Sequence, residues 1–158
     1  MTSKVHGDGR QGLEDVVRRI DESKAALVQA LESTDPSIFE TENSEGESIR
    51  HAVQRAADEM NFYYGRLVAR ALNLPQPPGL TRADYGSLRE GVMALQVAHR
   101  RFTNLLHDLV PDDLGKMAED PEHGSYSLLQ ILELAAAQYA MRAQQVQQLA
   151  AHARQPSG

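Results

Sequence analysis

The residues best suited to chemistry are polar side chains that fall on apolar helix faces. At about 100° per residue, Arg142 lies inside the apolar stripe of the last predicted helix, with Gln138 and Gln145 beside it. A charge inside a helix bundle is costly unless it is paired, so Arg142 requires an acidic partner. Glu59, at the border of the stripe of the second predicted helix, is the candidate.

Further polar groups extend this pair into a candidate site. On the third predicted helix, His99 falls between Leu95 and Phe102 on the apolar side. The complete candidate set is Arg55, Glu59, Tyr63, His99, Gln138, Tyr139 and Arg142. One interpretation is a structural polar network, or an arginine that extends out of the end of the bundle. The other is a cleft for a small anionic ligand, with Arg142 and Arg55 as its cations.

The sequence predicts neither a metal centre nor a cofactor. It contains six His and no Cys, which excludes thiolate ligands, disulfides and cysteine nucleophiles. No predicted helix carries two His three or four residues apart, and His99 and His107 would lie about 12 Å apart along one helix. A metal ion held by His99 and Glu59 is the alternative that the residues leave open. Nucleotide-binding glycine motifs and a nucleophile-elbow motif do not occur.

These side chains must be positioned by helices, because apolar residues recur at steps of three and four. The periodicity predicts four helices: Leu13 to Ser33, Glu45 to Leu72, Arg82 to Leu109, and one that follows Ser127 and ends near Ala153. Capping patterns precede three of them: Ser44-x-x-Glu47, Thr81-x-x-Asp84 and Ser127-x-x-Gln130. Asp35-Pro36 is expected to end the first helix.

The segments between and outside these helices contain no period-two pattern that would predict a strand. The residues between Val110 and Gly124 are expected to form a long loop, with one helical turn near Leu114 to Met117. Residues 1–10 and 154–158 are expected to be disordered, which leaves one domain over residues 11–153. Four amphipathic helices bury their stripes most simply as an all-α four-helix bundle.

Composition excludes several classes of function. The chain has 158 residues, 41% of them hydrophobic and 24% charged, with a formal net charge of −6. A net-acidic surface repels nucleic acid and anionic membranes, so neither is an expected partner. No apolar run approaches the roughly 18 residues of a membrane span. Residues 1–10 have no apolar segment typical of a secretory signal, so we expect a cytoplasmic location.

The last predicted helix and the segment before it resemble the DinB/YfiT-like superfamily. In DPEHGSYSLLQILELAAAQYAMRAQQVQQL, Gly124, Ser127 and Leu128 match the start of the family's last helix, and Gln145-Val146 match its end. SIRHAVQRAADEMNFYYGRL is similar to the family's second helix, and ADYGSLREGVMALQVAHRRFTNLLHDL to its third. The resemblance covers residues 10–153.

The resemblance implies a four-helix bundle, often a homodimer, with a long crossover between helices two and three. Residues 74–79, rich in proline, would belong to that crossover. Many members of the family bind a divalent metal through one His on helix two and two His on helix four. Here Arg55, Gln138 and Arg142 occupy those positions. Arginine cannot ligate a cation and glutamine is a poor ligand for zinc or nickel, so the metal is not expected.

Three hypotheses about function follow. The first is a metal-free DinB-like protein whose Arg/Glu site serves structure or binds a small anion. Some family members are transferases or isomerases that use bacillithiol or mycothiol. This implies the second hypothesis, a thiol-dependent S-transferase or isomerase that uses Arg55, Tyr139 and Arg142 to position an anionic thiol cofactor. The third is a role associated with DNA damage, which only the family's name suggests and the charge of −6 disfavours.

Overall fold

The structure, a computed structural model, describes residues 2–75 and 85–154, and for residues 2–9 only the course of the helix. The chain is mostly helical, with a small two-stranded sheet. The elements in chain order are α1 (Thr2–Glu32), a 3₁₀ turn (Pro36–Ile38), α2 (Ile49–Glu59), a π-helical segment (Met60–Tyr64), α3 (Gly65–Ala71), α4 (Leu88–Leu105), a second 3₁₀ turn (Pro111–Gly115), β1 (Met117–Asp120), β2 (Gly124–Ser127) and α5 (Leu128–Arg154).

The helices pack around one apolar core. α1 packs along α5, α2 packs against both α4 and α5, and α3 lies against β1. α2, the π-helical segment and α3 follow one another without a break, so they act as one long rod. The largest fully buried side chains come from all the long helices: Ile20, Leu27, Leu31, Ile49, Met60, Leu67, Leu95, Phe102, Leu128, Ile131, Leu132 and Tyr139.

Two helix boundaries follow the predicted signals. α1 ends at Glu32, just before Asp35-Pro36, where the carboxylate of Asp35 accepts the amide hydrogen of Ser37 at 3.0 Å. The Ser127-x-x-Gln130 capping box is confirmed at α5. Ser127 Oγ accepts the Gln130 amide at 3.1 Å, and Gln130 Oε1 accepts the Ser127 amide at 2.9 Å.

The predicted cap of α2 is wrong. Ser48 caps this helix, accepting the His51 amide at 3.2 Å, so α2 begins at Ile49 rather than Glu45. The preceding residues form a turn in which Asn43 Oδ1 accepts the amides of Glu45 and Glu47, and Gly46 has a φ of 76°. A side chain that bonds to nearby backbone amides favours such a turn over a helix.

The third helix is shorter than predicted at both ends. α4 begins at Leu88 rather than at Arg82, because Ser87 is its extended N-terminal cap, and Glu90 Oε2 accepts the Gly86 amide at 2.8 Å. It ends at Leu105 rather than at Leu109, where the Leu106 amide donates to the Thr103 carbonyl at 3.0 Å. The Thr81-x-x-Asp84 pattern lies outside the described residues, as do residues 76–79 of the expected crossover.

The segment after Val110 contains a helical turn, at Pro111–Gly115 rather than near Leu114 to Met117, but the rest of the predicted loop is wrong because it forms two strands that the sequence did not predict. A 3₁₀ turn is followed by β1 and β2, which pair antiparallel from Met117 opposite Ser127 to Asp120 opposite Gly124. Gly124 has a φ of 87°, in the left-handed region that glycine adopts without strain. Each strand has only four residues, too few to show a clear alternation in sequence.

The structure differs from the prediction at the N-terminal end and does not describe the last four residues. The first helix includes residues 2–10, upstream of the predicted start at Leu13, where we expected disorder. α5 extends to Arg154, and residues 155–158 lie outside the described part. No helix in the described ranges has the length and apolar character needed to cross a membrane.

Candidate functional site

Arg142 and Glu59 form an ion pair between α5 and the end of α2. Arg142 is 9% exposed, and its Nη2 donates to Glu59 Oε1 at 2.5 Å. The Glu59 side chain is 31% exposed, so the pair lies at the edge of the core. The acidic partner indicated by the sequence is therefore the one that Arg142 has in the structure.

The pair continues into a network that reaches the segment before α2. Arg142 Nη1 donates to Gln145 Oε1 at 2.9 Å, and Gln145 Nε2 donates to Glu47 Oε2 at 2.8 Å. The network therefore holds α5 to both ends of α2. It contains one guanidinium and two carboxylates, so its formal charge does not attract a further anion.

Gln138 lies one helical turn before Arg142 and is only 4% exposed. Neither its Oε1 nor its Nε2 has a hydrogen-bond partner among the described residues, and Arg142 Nε also has none. An unpaired buried polar group costs about 1–3 kcal/mol.

Tyr64 belongs to the surroundings of the pair, and the sequence analysis missed it. Burial, followed by the negative charge of Glu59, raises the pKa of Tyr64 to about 12, while Arg142 opposes the shift. Tyr63 is predicted to lie here because the sequence places it on the apolar stripe of the second predicted helix, one α-helical turn after Glu59. The π-helical segment lengthens that turn by one residue, which places Tyr64 where Tyr63 would otherwise lie.

Tyr63 instead contacts the β-hairpin. Its hydroxyl donates a short hydrogen bond to Asp120 Oδ2, which also lies 2.9 Å from His123 Nδ1. Asp120 Oδ1 accepts the amide of Glu122 at 2.9 Å. These hydrogen bonds, that of Tyr63 first, lower the pKa of Asp120 to about 2, so Asp120 is a carboxylate at neutral pH.

His99 and Tyr139 form a second polar contact that does not include Arg142. His99 Nδ1 lies 3.1 Å from Tyr139 Oη, and its Nε2 lies 3.0 Å from Asp21 Oδ1. The contact links α4, α5 and α1. Burial is the largest effect on His99 and lowers its pKa, while the hydrogen bond to Asp21 opposes this. Burial also raises the pKa of Tyr139, so its phenol stays neutral.

Arg55 does not join the site. It is exposed, whereas the neighbouring Ala52, Val53, Ala56 and Ala57 form the buried face of α2. The cleft with Arg55 and Arg142 as its two cations is therefore not formed, because the two arginines do not share the interior.

The residues present do not fit the metal centre of the DinB/YfiT-like superfamily. Both ring nitrogens of His99 are engaged by Tyr139 and Asp21, so His99 does not join Glu59 as a ligand. Among the side chains that the structure describes, in residues 10–75 and 85–154, no group of three or more His, Asp or Glu could hold a metal ion. Of the positions aligned with the family's ligands, Gln138 and Arg142 are buried and Arg55 is exposed.

Comparison of the chain with protein-family models, with curated proteins and with solved structures found no match.

Proposed function

We propose that this chain is a metal-free DinB-like four-helix bundle in which the Arg142–Glu59 pair takes the place of the family's metal centre. In this proposal the pair serves structure and the protein acts by binding rather than by metal-dependent catalysis. The observation that carries the proposal is the hydrogen bond from Arg142 Nη2 to Glu59 Oε1.

The geometry favours a structural role over binding of an anion. Both Nη atoms of Arg142 are engaged, one by Glu59 and the other by Gln145. An anionic ligand would have to displace Glu59 and leave its carboxylate beside the incoming charge. The alternative S-transferase needs Arg55 and Arg142 free to hold a thiol cofactor, but Arg55 is exposed and Arg142 is paired.

The pair is expected to stabilise the bundle measurably. Removing one partner of a fully buried ion pair costs about 3–5 kcal/mol, because the other charge is left without compensation. Water reaches the 31% of Glu59 that is exposed, so we expect a smaller loss, of about 2 kcal/mol, for Arg142→Met.

A double-mutant cycle tests this role. The free energy of unfolding would be measured by urea denaturation for Arg142→Met, Glu59→Gln and the double variant. We expect a coupling energy of about 1–2 kcal/mol between residues 59 and 142. Arg55→Met is the matched control, because Arg55 lies one turn from Glu59 but is exposed. Its coupling to Glu59→Gln should not exceed about 0.5 kcal/mol.

A metal-binding experiment completes the test. The purified protein would be incubated with zinc or nickel, dialysed, and examined by elemental analysis and thermal unfolding. We expect less than a stoichiometric amount of either metal and no rise in Tm. One retained equivalent that raises Tm would overturn the proposal, as would a 59–142 coupling no larger than that of the control.

A further inference from the structure

A cleft separates α3 from the turn of the β-hairpin. It has a volume of about 260 Å³, enough for one small molecule, and none of its lining residues belongs to the Arg142 network. One wall comes from the rod and carries Arg66 and Arg70. The other comes from the hairpin and carries Asp120 and Glu122. The cleft therefore has a cationic wall and an anionic wall.

The two arginines are oriented without a carboxylate partner. The Arg66 guanidinium lies 5.5 Å from the centre of the Phe62 ring, which positions it by a cation–π contact. Arg70 Nη1 donates to the backbone carbonyl of Glu119 at 3.0 Å. Within the described ranges, neither guanidinium forms an ion pair, although carboxylates line the same cleft.

The two carboxylates of the opposite wall differ in what they can still bind. Asp120 is buried and already accepts hydrogen bonds from Tyr63 and Glu122 and contacts His123. The Glu122 side chain is exposed and has no hydrogen bond or ion pair to another described residue. The accessible charges are thus the guanidiniums on one wall and the Glu122 carboxylate on the other.

The geometry points to a small zwitterion with an apolar body, of the amino-acid class, as the ligand of this cleft. Its carboxylate binds the guanidiniums of Arg66 and Arg70 by charge-assisted hydrogen bonds, and its ammonium binds Glu122. Phe62 on the rod wall and Pro121 on the hairpin wall supply apolar surface. A molecule with a single charge leaves one wall without a partner.

Three probes of similar shape test the contribution of each ligand charge to binding. L-phenylalanine carries both charges, 3-phenylpropionate carries only the carboxylate, and 2-phenylethylamine carries only the ammonium. Backbone amide shifts would be followed by NMR while each probe is added to the full chain. For phenylalanine we expect saturable shifts in residues 62–70 and 120–124, with a Kd of the order of 1 mM. Each singly charged probe should bind about tenfold more weakly, because one charge-assisted contact is lost.

Two surface variants assign each charge to its wall. Arg66→Gln should weaken phenylalanine and phenylpropionate about tenfold and leave phenylethylamine unchanged. Glu122→Gln should weaken phenylalanine and phenylethylamine and leave phenylpropionate unchanged. Arg89→Gln, at an exposed arginine of α4, is the control for net charge. Circular dichroism would check that each variant is folded.

Three outcomes would overturn this inference: no saturable shift up to roughly 10 mM phenylalanine, equal affinity for the three probes, or an equal loss for Arg89→Gln and Arg66→Gln. The test is independent of the metal and coupling experiments, because it involves none of the residues varied there.

Discussion

Burial and hydrogen bonding act in opposite directions on His99, and burial is the larger effect. The pKa of His99 in the folded protein is therefore below its ordinary value of 6.5. A histidine of this kind contributes stability that is fully present above the unfolded pKa and is lost as the pH falls through the folded pKa. We expect the free energy of unfolding to decrease as the pH is lowered from about 7 to about 5.

Urea denaturation at several pH values measures this dependence. His99→Gln keeps a side chain that can bond to Tyr139 and Asp21 but removes the titration, so it should flatten the pH dependence. His107→Gln, at an exposed histidine that follows α4, should leave the dependence unchanged. An identical pH profile for His99→Gln and the parent protein would contradict the assignment.

The positions of residues around each predicted helix identified the buried Arg142 correctly, but they were less reliable for the side chains that surround it. Arg142 lies in the middle of its stripe, so a small error in angle cannot move it to the surface, and its pairing with Glu59 was predictable. Arg55 lies at the border of a stripe, where the same error decides between burial and exposure. Tyr63 was misplaced because no local pattern in the sequence revealed the extra residue of the π-helical turn.

At the scale of elements, the rod formed by α2, the π-helical segment and α3 contacts both α5 and the hairpin. Glu59, before it, meets α5, while Tyr63, within it, reaches the hairpin. Gly65 follows directly, and a Cβ atom added there would lie 2.6 Å from the carbonyl oxygen of Met60. Gly65→Ala should therefore destabilise the protein by about 1–3 kcal/mol, as urea denaturation would show.

Gly12→Ala is the matched control for that substitution. Gly12 lies within α1, and an added Cβ would meet nothing within 4 Å. Alanine there should stabilise the protein by about 0.4–1 kcal/mol, because it reduces the freedom of the unfolded chain. A stable Gly65→Ala variant with an unchanged Tyr63 environment would show that the π-helical segment does not depend on glycine.

The helices themselves were largely predictable, and the short elements were not. Long stripes specify a helix many times over, so an error at one position does not remove it. A helix cap depends on very few hydrogen bonds, so its position is harder to predict than the helix itself. Ser44 and Ser48 are both suitable cap residues in the sequence, and only the hydrogen bonds from the amides of Glu45 and Glu47 to Asn43 show that the helix begins after Ser48. The hairpin is specified by pairing between β1 and β2, which single-strand patterns do not report.

At the scale of the whole molecule, α5 is shared by the Arg142 network and by the His99–Tyr139 contact. Arg142 ties it to α2, and Tyr139 ties it through His99 to α4 and α1. Both contacts lie on a helix that is buried against several neighbours, so each fixes the rotation and axial position of α5 in a way that apolar packing alone does not.

The net charge of the whole molecule predicts that it does not bind DNA. With a formal charge of −6 and a pI of about 5.5, the protein should repel duplex DNA at long range. The exposed pair Arg100 and Arg101 is too small to reverse this, because non-specific affinity grows with the number of phosphates that are neutralised. Fluorescence anisotropy of a labelled duplex should show no saturable binding up to roughly 100 µM protein at physiological salt. Binding whose logarithm falls linearly with the logarithm of salt concentration would instead reveal a segregated basic surface and restore the DNA-associated hypothesis.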